Sequence, residues 1–199
     1  MLDGIALYAF DGGGAGDFDG AAGRGQIPDM ISIHARPPEV EDRLIPGHWE
    51  GDLIKGAYNQ SAIGTLVERT SRLVLLAKIE GSGTAEAALA GFTAILNRVH
   101  PPLRKTLTYD RGKEMSCHKA LTAATDVAVY FADPHSPWQR GSNENTNGLL
   151  RQYFPKGTNL STFTQDDLDV IAYKLNTRPR KLHDFRMPLE VYADYRDRL

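Results

Sequence analysis

Between Gly47 and Ile79 three short apolar runs follow one another with little more than a turn between them. That spacing restricts the fold more than any other feature of the chain. His48-Trp49-Glu50-Gly51-Asp52-Leu53-Ile54 alternates as a strand does, with Trp49 and Leu53 on one face and Glu50, Asp52 and Ile54 on the other. Residues 63–68 and 73–79 are two more strand-length runs, separated by the polar turn Arg69-Thr70-Ser71-Arg72. Strands joined by so few residues pair antiparallel, so a three-stranded meander is expected. The period then changes. Residues 84–99 read as a helix that Thr84 caps, with Ala88, Phe92, Ile95, Leu96 and Val99 on one face and Pro101-Pro102 as the stop.

Further runs predict a strand over 103–109, a helix over 116–125, a buried strand over 127–131, a helix from Gly141 to about Phe154 and a last helix over 166–176. The order β-β-β-α-β-α-β-α, a meander followed by crossovers, implies an α/β fold with one mixed five-stranded sheet flanked by helices. With 199 residues, 41% of them hydrophobic, the chain supports one sizeable core. Residues 1–23 hold seven Gly, five Ala and four Asp without periodicity, and are expected to be a disordered or non-native tail. Residues 24–46 read as a connecting arm and 47–199 as the folded core.

The single Cys117 excludes an internal disulfide framework and a multi-cysteine zinc site, and it points to a reducing, cytoplasmic setting. No run reaches the length of a membrane span. The net charge of −2 is uneven: beyond the acidic first stretch, 23 bases face 21 acids, which is compatible with a basic face around an acidic pocket.

The stretch from Asp133 to Arg151 (DPHSPWQRGSNENTNGLLR) passes from a Pro- and Ser-rich loop into a helix for which Ser142 is the expected cap. Glu144 falls in the first turn, with Asn147 and Arg151 on its face. By itself Glu144 is either a helix-start carboxylate or part of a site. Asp52 in the first strand is either a surface carboxylate or a ligand, and Asp110, at the carboxyl end of the fourth, is either a turn former before Gly112 or a ligand. If the first and fourth strands are neighbours, Asp52 and Asp110 lie side by side. Three converging carboxylates require a cation, and hard oxygen ligands suit Mg²⁺ or Mn²⁺, two of which would serve phosphodiester cleavage or transfer.

Three blocks carry a resemblance: GHWEGDLI over 47–54, TYDRGKEM over 108–115 and FADPHSPWQRGSNEN over 131–145. They resemble the catalytic blocks of the insertion-sequence-thirty family of DDE transposases, as does the spacing of 33 residues between Asp110 and Glu144. LNTRPRK over 175–181 and PLEV over 188–191 are similar to that family's C-terminal pattern. The resemblance covers about residues 24–199. It implies a ribonuclease-H-like integrase core and a two-metal mechanism with Asp52, Asp110 and Glu144 as the triad. It further implies DNA as partner, both element ends and target, and a homo-oligomer in the DNA complex. Members of that family carry N-terminal helix-turn-helix segments, and none is legible before Gly47, so the chain reads as a truncated copy. The rivals are a structure-selective nuclease and an inactive remnant that binds DNA or full-length transposase.

Around the triad, Lys113, His135, Arg140, Asn143, Asn147 and Arg151 are candidates for phosphate contact, and Arg178, Arg180 and Lys181 form a basic cluster suited to a DNA backbone. Trp138 is expected to pack beneath its loop, with stacking on an unpaired base as the alternative. His48 and His118 read as structural.

Overall fold

The computed structural model describes residues 27–199; the acidic, glycine-rich first 23 residues lie outside the described residues. Strands β1 (His48–Lys55), β2 (Ala62–Glu68) and β3 (Val74–Ile79) form the expected antiparallel meander. Helix α2 (Ala85–Leu96) crosses to β4 (Thr106–Tyr109), and α3 (His118–Thr125) leads to β5 (Ala128–Phe131). Both of these strands run parallel to their neighbours, which gives the mixed order β3-β2-β1-β4-β5. Thr84 caps α2 as read, its hydroxyl accepting from the Ala87 amide. Helices α4 (Gly141–Leu150), α5 (Gln165–Asn176) and α6 (Pro188–Arg196) complete the chain.

The alternation along β1 sends its two faces into different cores. Trp49 and Leu53 pack with Phe92 and Leu96 of α2 and Leu121 of α3, while Ile54 packs with Leu150 of α4 and Leu168 and Leu175 of α5. Glu50 and Asp52 therefore face the α4 side. Gly51 lies between them on the opposite face, where a Cβ would come within 2.9 Å of Leu107 and Tyr109, so only glycine lets β1 and β4 approach this closely.

The outer edge of β3 is occupied by side-chain amides from α5. Asn176 accepts from the Val74 N–H and donates to the Val74 carbonyl, both at 2.8 Å. Gln165 donates to the Leu76 carbonyl at 2.8 Å and accepts from the Lys78 N–H at 2.9 Å. The opposite edge meets the arm. Ser32 pairs in parallel with Phe131, whose N–H donates to the Ile31 carbonyl at 2.8 Å, and Ile27 joins the core. A short helix, α1 (Glu39–Asp42), buries Val40 completely.

The β2–β3 turn is polar as read and also covered. Arg69, Thr70 and Ser71 are buried, because the segment after α5 lies over them and the His183 ring contacts the Ser71 carbonyl at 3.0 Å. Glu68 is fully buried there too, accepting from the Gly47 N–H, the Ser71 N–H and the Ser71 hydroxyl. These bonds compensate the desolvated carboxylate.

Candidate active site

Parallel pairing of β1 and β4 sets Glu50 opposite Thr108. Two residues further along each chain come Asp52 and Asp110, side by side at the carboxyl end of β4. The Arg140 guanidinium stands between them, with Nη2 donating to Asp110 Oδ2 at 3.0 Å and Nη1 at 3.7 Å from Asp52 Oδ1. Nη1 also donates to the Gly51 carbonyl at 3.2 Å, fixing the arginine to the strand itself. Asp110 Oδ1 accepts from the Gly112 N–H at 2.9 Å, so its turn-forming role and its place at the site coexist. Asp52 accepts from the Leu53 N–H at 2.9 Å and from Asn147 Nδ2 at 2.8 Å. Burial lifts the Asp52 carboxyl above its ordinary range; Arg140 opposes that rise and the neighbouring Asp110 adds to it.

Glu144 stands apart. It occupies the first turn of α4 as read, but it is exposed and makes no hydrogen bond or ion pair among the described residues. No three His, Cys, Asp or Glu side chains gather in a metal-holding group among those residues. The oxygens that do converge nevertheless fit a hard cation. Two carboxylates share one guanidinium, and Asn147, whose Nδ2 donates to Asp52, has its Oδ1 buried with no hydrogen-bond partner, so a turn of that amide would add a third oxygen. Such an oxygen-rich set is suited to Mg²⁺ or Mn²⁺.

Helix α4 is anchored differently from the sequence expectation. Ser142 does not cap it; the Ser142 hydroxyl accepts from Arg72, and no side chain at the N-cap position bonds to the first turn. The free Asn143 amide instead donates to Glu50 Oε2 at 2.9 Å, across 93 positions of sequence. The second oxygen of Glu50 accepts from Arg69 Nη1 at 2.6 Å, and Thr65 donates to Asn143 Oδ1 at 3.1 Å. A buried carboxylate from β1 thus takes up an orphan amide of the helix and favours its positive end. Sequence reasoning missed Glu50, Thr65 and Arg69. The placing of Glu50 on the same strand face as Asp52 was the available signal.

The other sequence candidates divide. His135 is exposed on a left-handed backbone (φ 57) and borders, with Asp110, Arg111 and Arg140, a groove that opens beside the carboxylates. Lys113 is exposed in the turn after Asp110. Asn143 and Asn147 face β1 and β2 through the bonds described. Arg151, Arg178 and Arg180 each bond within their own chain segment or its neighbour: Arg151 to the Phe154 carbonyl, Arg178 to the Tyr153 hydroxyl at 2.6 Å, and Arg180 to the Leu175 carbonyl. Lys181 is exposed. Trp138 does not pack beneath its loop; it is 71% exposed, because the 3-10 turn Pro137–Arg140 directs it outward. His48 and His118 are buried and hydrogen-bonded, as expected of structural histidines. Among the described residues no helix is long and apolar enough to cross a membrane.

The integrase core domain family model matches residues 44–137, a span that includes Asp52 and Asp110 but ends before Glu144. Over 170 residues the chain is 67% identical to the transposase for insertion sequence element IS1086 of Cupriavidus metallidurans, covering 85% of this chain and 50% of that protein. It is 46% identical over 172 residues to transposase InsI for insertion sequence element IS30A of Escherichia coli, covering 86% of this chain and 44% of that protein. The chain spans about half the length of the curated relatives it matches. Among solved structures it is similar to a chain of the simian T-cell lymphotropic virus intasome in complex with PP2A regulatory subunit B56 gamma. There the TM-score is 0.56 and the identity 20%, over 84% of this chain and 60% of that one. That likeness shows the fold alone, and it agrees with the ribonuclease-H-like core that the family resemblance implies.

Proposed function

We propose that this chain, an integrase-core homologue of the IS30-group insertion-sequence transposases, cleaves DNA strands at element ends and joins them to target DNA. The observation that carries the reading is the pair Asp52 and Asp110, level on two adjacent parallel strands and bridged by Arg140. Asp52 and Asp110 would hold one or two divalent ions, and Glu144, exposed and without an internal side-chain partner, would have to turn in from α4 to complete the set. When bound, the ions would neutralise the scissile phosphate and sharpen the attacking water or 3′-hydroxyl.

The chain's own groups supply the positioning. Asn147 and the Leu53 amide orient Asp52, the Gly112 amide orients Asp110, and Arg140 keeps two like charges together in a half-buried site. Arg111 and His135 line the groove beside Asp110 where an entering strand would present its phosphates, Lys113 follows in the exposed turn next to it, and Arg140 is near enough to exchange a carboxylate for a phosphate oxygen. DNA at element ends and at the target is the proposed partner, with a second copy of the chain supplying the second end.

The test is a supercoiled plasmid carrying candidate ends, incubated with Mg²⁺ or Mn²⁺ and either the native chain or Asp110→Asn. Nicking or joining by the native chain only is the expected result. Absence of product from both folded proteins would sink the enzymatic reading. It would leave the DNA-binding alternative, which the outlying position of Glu144 favours.

A further inference from the structure

Behind α4, on the side away from Asn143 and Asn147, runs a cleft of about 450 Å³ lined by Arg43, Arg72, Arg180 and Lys181, with Ser142 and Asn145 on its helical wall. The four cations come from three separate stretches: the arm, the β2–β3 turn and the segment after α5. No acidic side chain lines the cleft, and none of the four makes an ion pair among the described residues. Arg72 is bonded to the neutral Ser142 hydroxyl, which keeps its own hydrogen free to donate. Arg180 has its Nε buried without a partner. Arg43 makes no side-chain hydrogen bond among the described residues and holds a left-handed backbone (φ 53), a conformation that costs a non-glycine residue stability.

Charges of one sign gathered in one cleft repel one another, and for Arg72 the carboxylates of Glu50 and Glu68, outside the lining, offset this only in part. Burial, with Arg43 and Arg69 nearby, depresses the ordinarily very high pKa of Arg72; burial and Arg178 do the same to Arg180. An anion in the cleft would relieve all four. The cleft is not an isolated pocket. Arg43 also borders a groove with Arg36, Arg69 and the exposed Trp138, where Glu41 pairs with both arginines, and another with Arg69, Arg72, His183 and Asp42. Four cations free of ion pairs, spread along a cleft that opens at Arg43 into both grooves, suit an extended polyanion better than a single free phosphate.

We propose that the cleft formed by Arg43, Arg72, Arg180 and Lys181 is a phosphate-backbone site for double-stranded DNA, holding the duplex that flanks the phosphodiester presented at Asp52 and Asp110. The inference rests on the strand-cleavage reading for its partner, and it adds a second contact surface on the far side of α4. Three of its four cations lie outside residues 44–137, the span shared with the general integrase core. Contacts of this kind set register on the duplex and carry no sequence preference.

The test is fluorescence anisotropy of a labelled duplex, titrated in chelator at several salt concentrations, with the native chain and the double variant Arg43→Gln/Lys181→Gln. Neither side chain has an internal partner, so the variant is expected to fold, which circular dichroism checks. The expected result is weaker binding at every salt, for unrelated sequences alike, and a log–log salt slope smaller by about 2, roughly 0.9 for each lost phosphate contact. Arg43→Lys with Lys181 intact should restore the slope. Identical affinity and slope in the double variant overturn the proposal. So does a native chain that ignores the duplex but binds polyglutamate through the same two residues, which would assign the cleft to an acidic protein partner. Because the titration contains no divalent metal, it is independent of chemistry. A lost slope without nicking activity brings down strand cleavage alone, and nicking with an unchanged slope brings down the cleft alone.

Discussion

Two carboxylate–arginine groups lie two residues apart on the same face of β1, and each is tied to α4 by an asparagine. Glu50 is fully buried; Arg69 and the Asn143 backbone amide satisfy one of its oxygens each, and the atoms left without a partner there are nitrogens, Arg69 Nε and Asn143 Nδ2. Asp52 keeps 27% of its side chain exposed, shares Arg140 with Asp110 at unequal distances, and leaves the Asn147 carbonyl oxygen without a partner. One turn of helix separates the two asparagines. The closed group is a fixed anchor that holds the helix against the sheet. The open one has desolvated charge with unfilled coordination, which is the condition for binding something else. The same strand therefore makes its anchor and its site from the same chemistry, and the difference is how completely the oxygens are used.

That contrast can be broken from either end. The largest effect is expected at the open group. Asp52→Asn should lower metal-dependent nicking by about a thousand-fold or more, while urea unfolding changes by no more than about 1 kcal/mol, because the raised Asp52 carboxyl is an electrostatic burden that the amide removes. Equal losses of activity and stability would mean that Asp52 is an anchor like its neighbour. At the closed group the pattern should invert. Glu50→Ala leaves Arg69 buried without its closest counter-charge and frees the Asn143 amide, and should cost about 3–5 kcal/mol in urea unfolding. A cost below about 1 kcal/mol would show that water reaches the pair.

The smallest effect concerns His48, the third polar residue on that face. Its ring is buried against Thr106, and burial, followed by Lys105, brings its pKa down from 6.5 to about 4. Glu39 pulls the other way. A histidine with a depressed folded pKa stabilises fully above the unfolded value and loses that contribution as pH falls through the window, here from about 6.5 towards 4. His48→Gln should therefore flatten the fall in unfolding free energy between pH 6.5 and 4.5, by up to about 1 kcal/mol per pH unit. Parallel curves for variant and native protein would exclude His48 from the acid response.

Much of this was legible before the structure. Alternation along residues 48–54 assigns the faces of β1 correctly, while the adjacency of β1 and β4 was only a condition in the sequence, which their parallel pairing meets and which brings Asp52 beside Asp110. Local signals of this kind act over a few residues and survive folding. What escaped depends on distant pairs. Glu50 meets the Asn143 amide across 93 positions, and Arg43 meets Arg72 and Arg180 only once the arm and the C-terminal segment have wrapped the sheet. Ser142 looked like a cap because hydroxyls usually serve the nearest free amide, but a buried carboxylate held by Arg69 is the stronger acceptor for that turn. Trp138 looked like a packing residue by its size, yet the turn that carries it faces outward.

The amides of Asn176 and Gln165 along the outer edge of β3 have a consequence for assembly. They stand where a sixth strand would hydrogen-bond, and they occupy Val74, Leu76 and Lys78, every second residue of the edge, with side-chain amides that another chain cannot extend. A sheet finished in this way is protected against edge-to-edge polymerisation. Copies of this protein at high local concentration then find no open β3 edge to extend, and any contact between them has to use other surfaces.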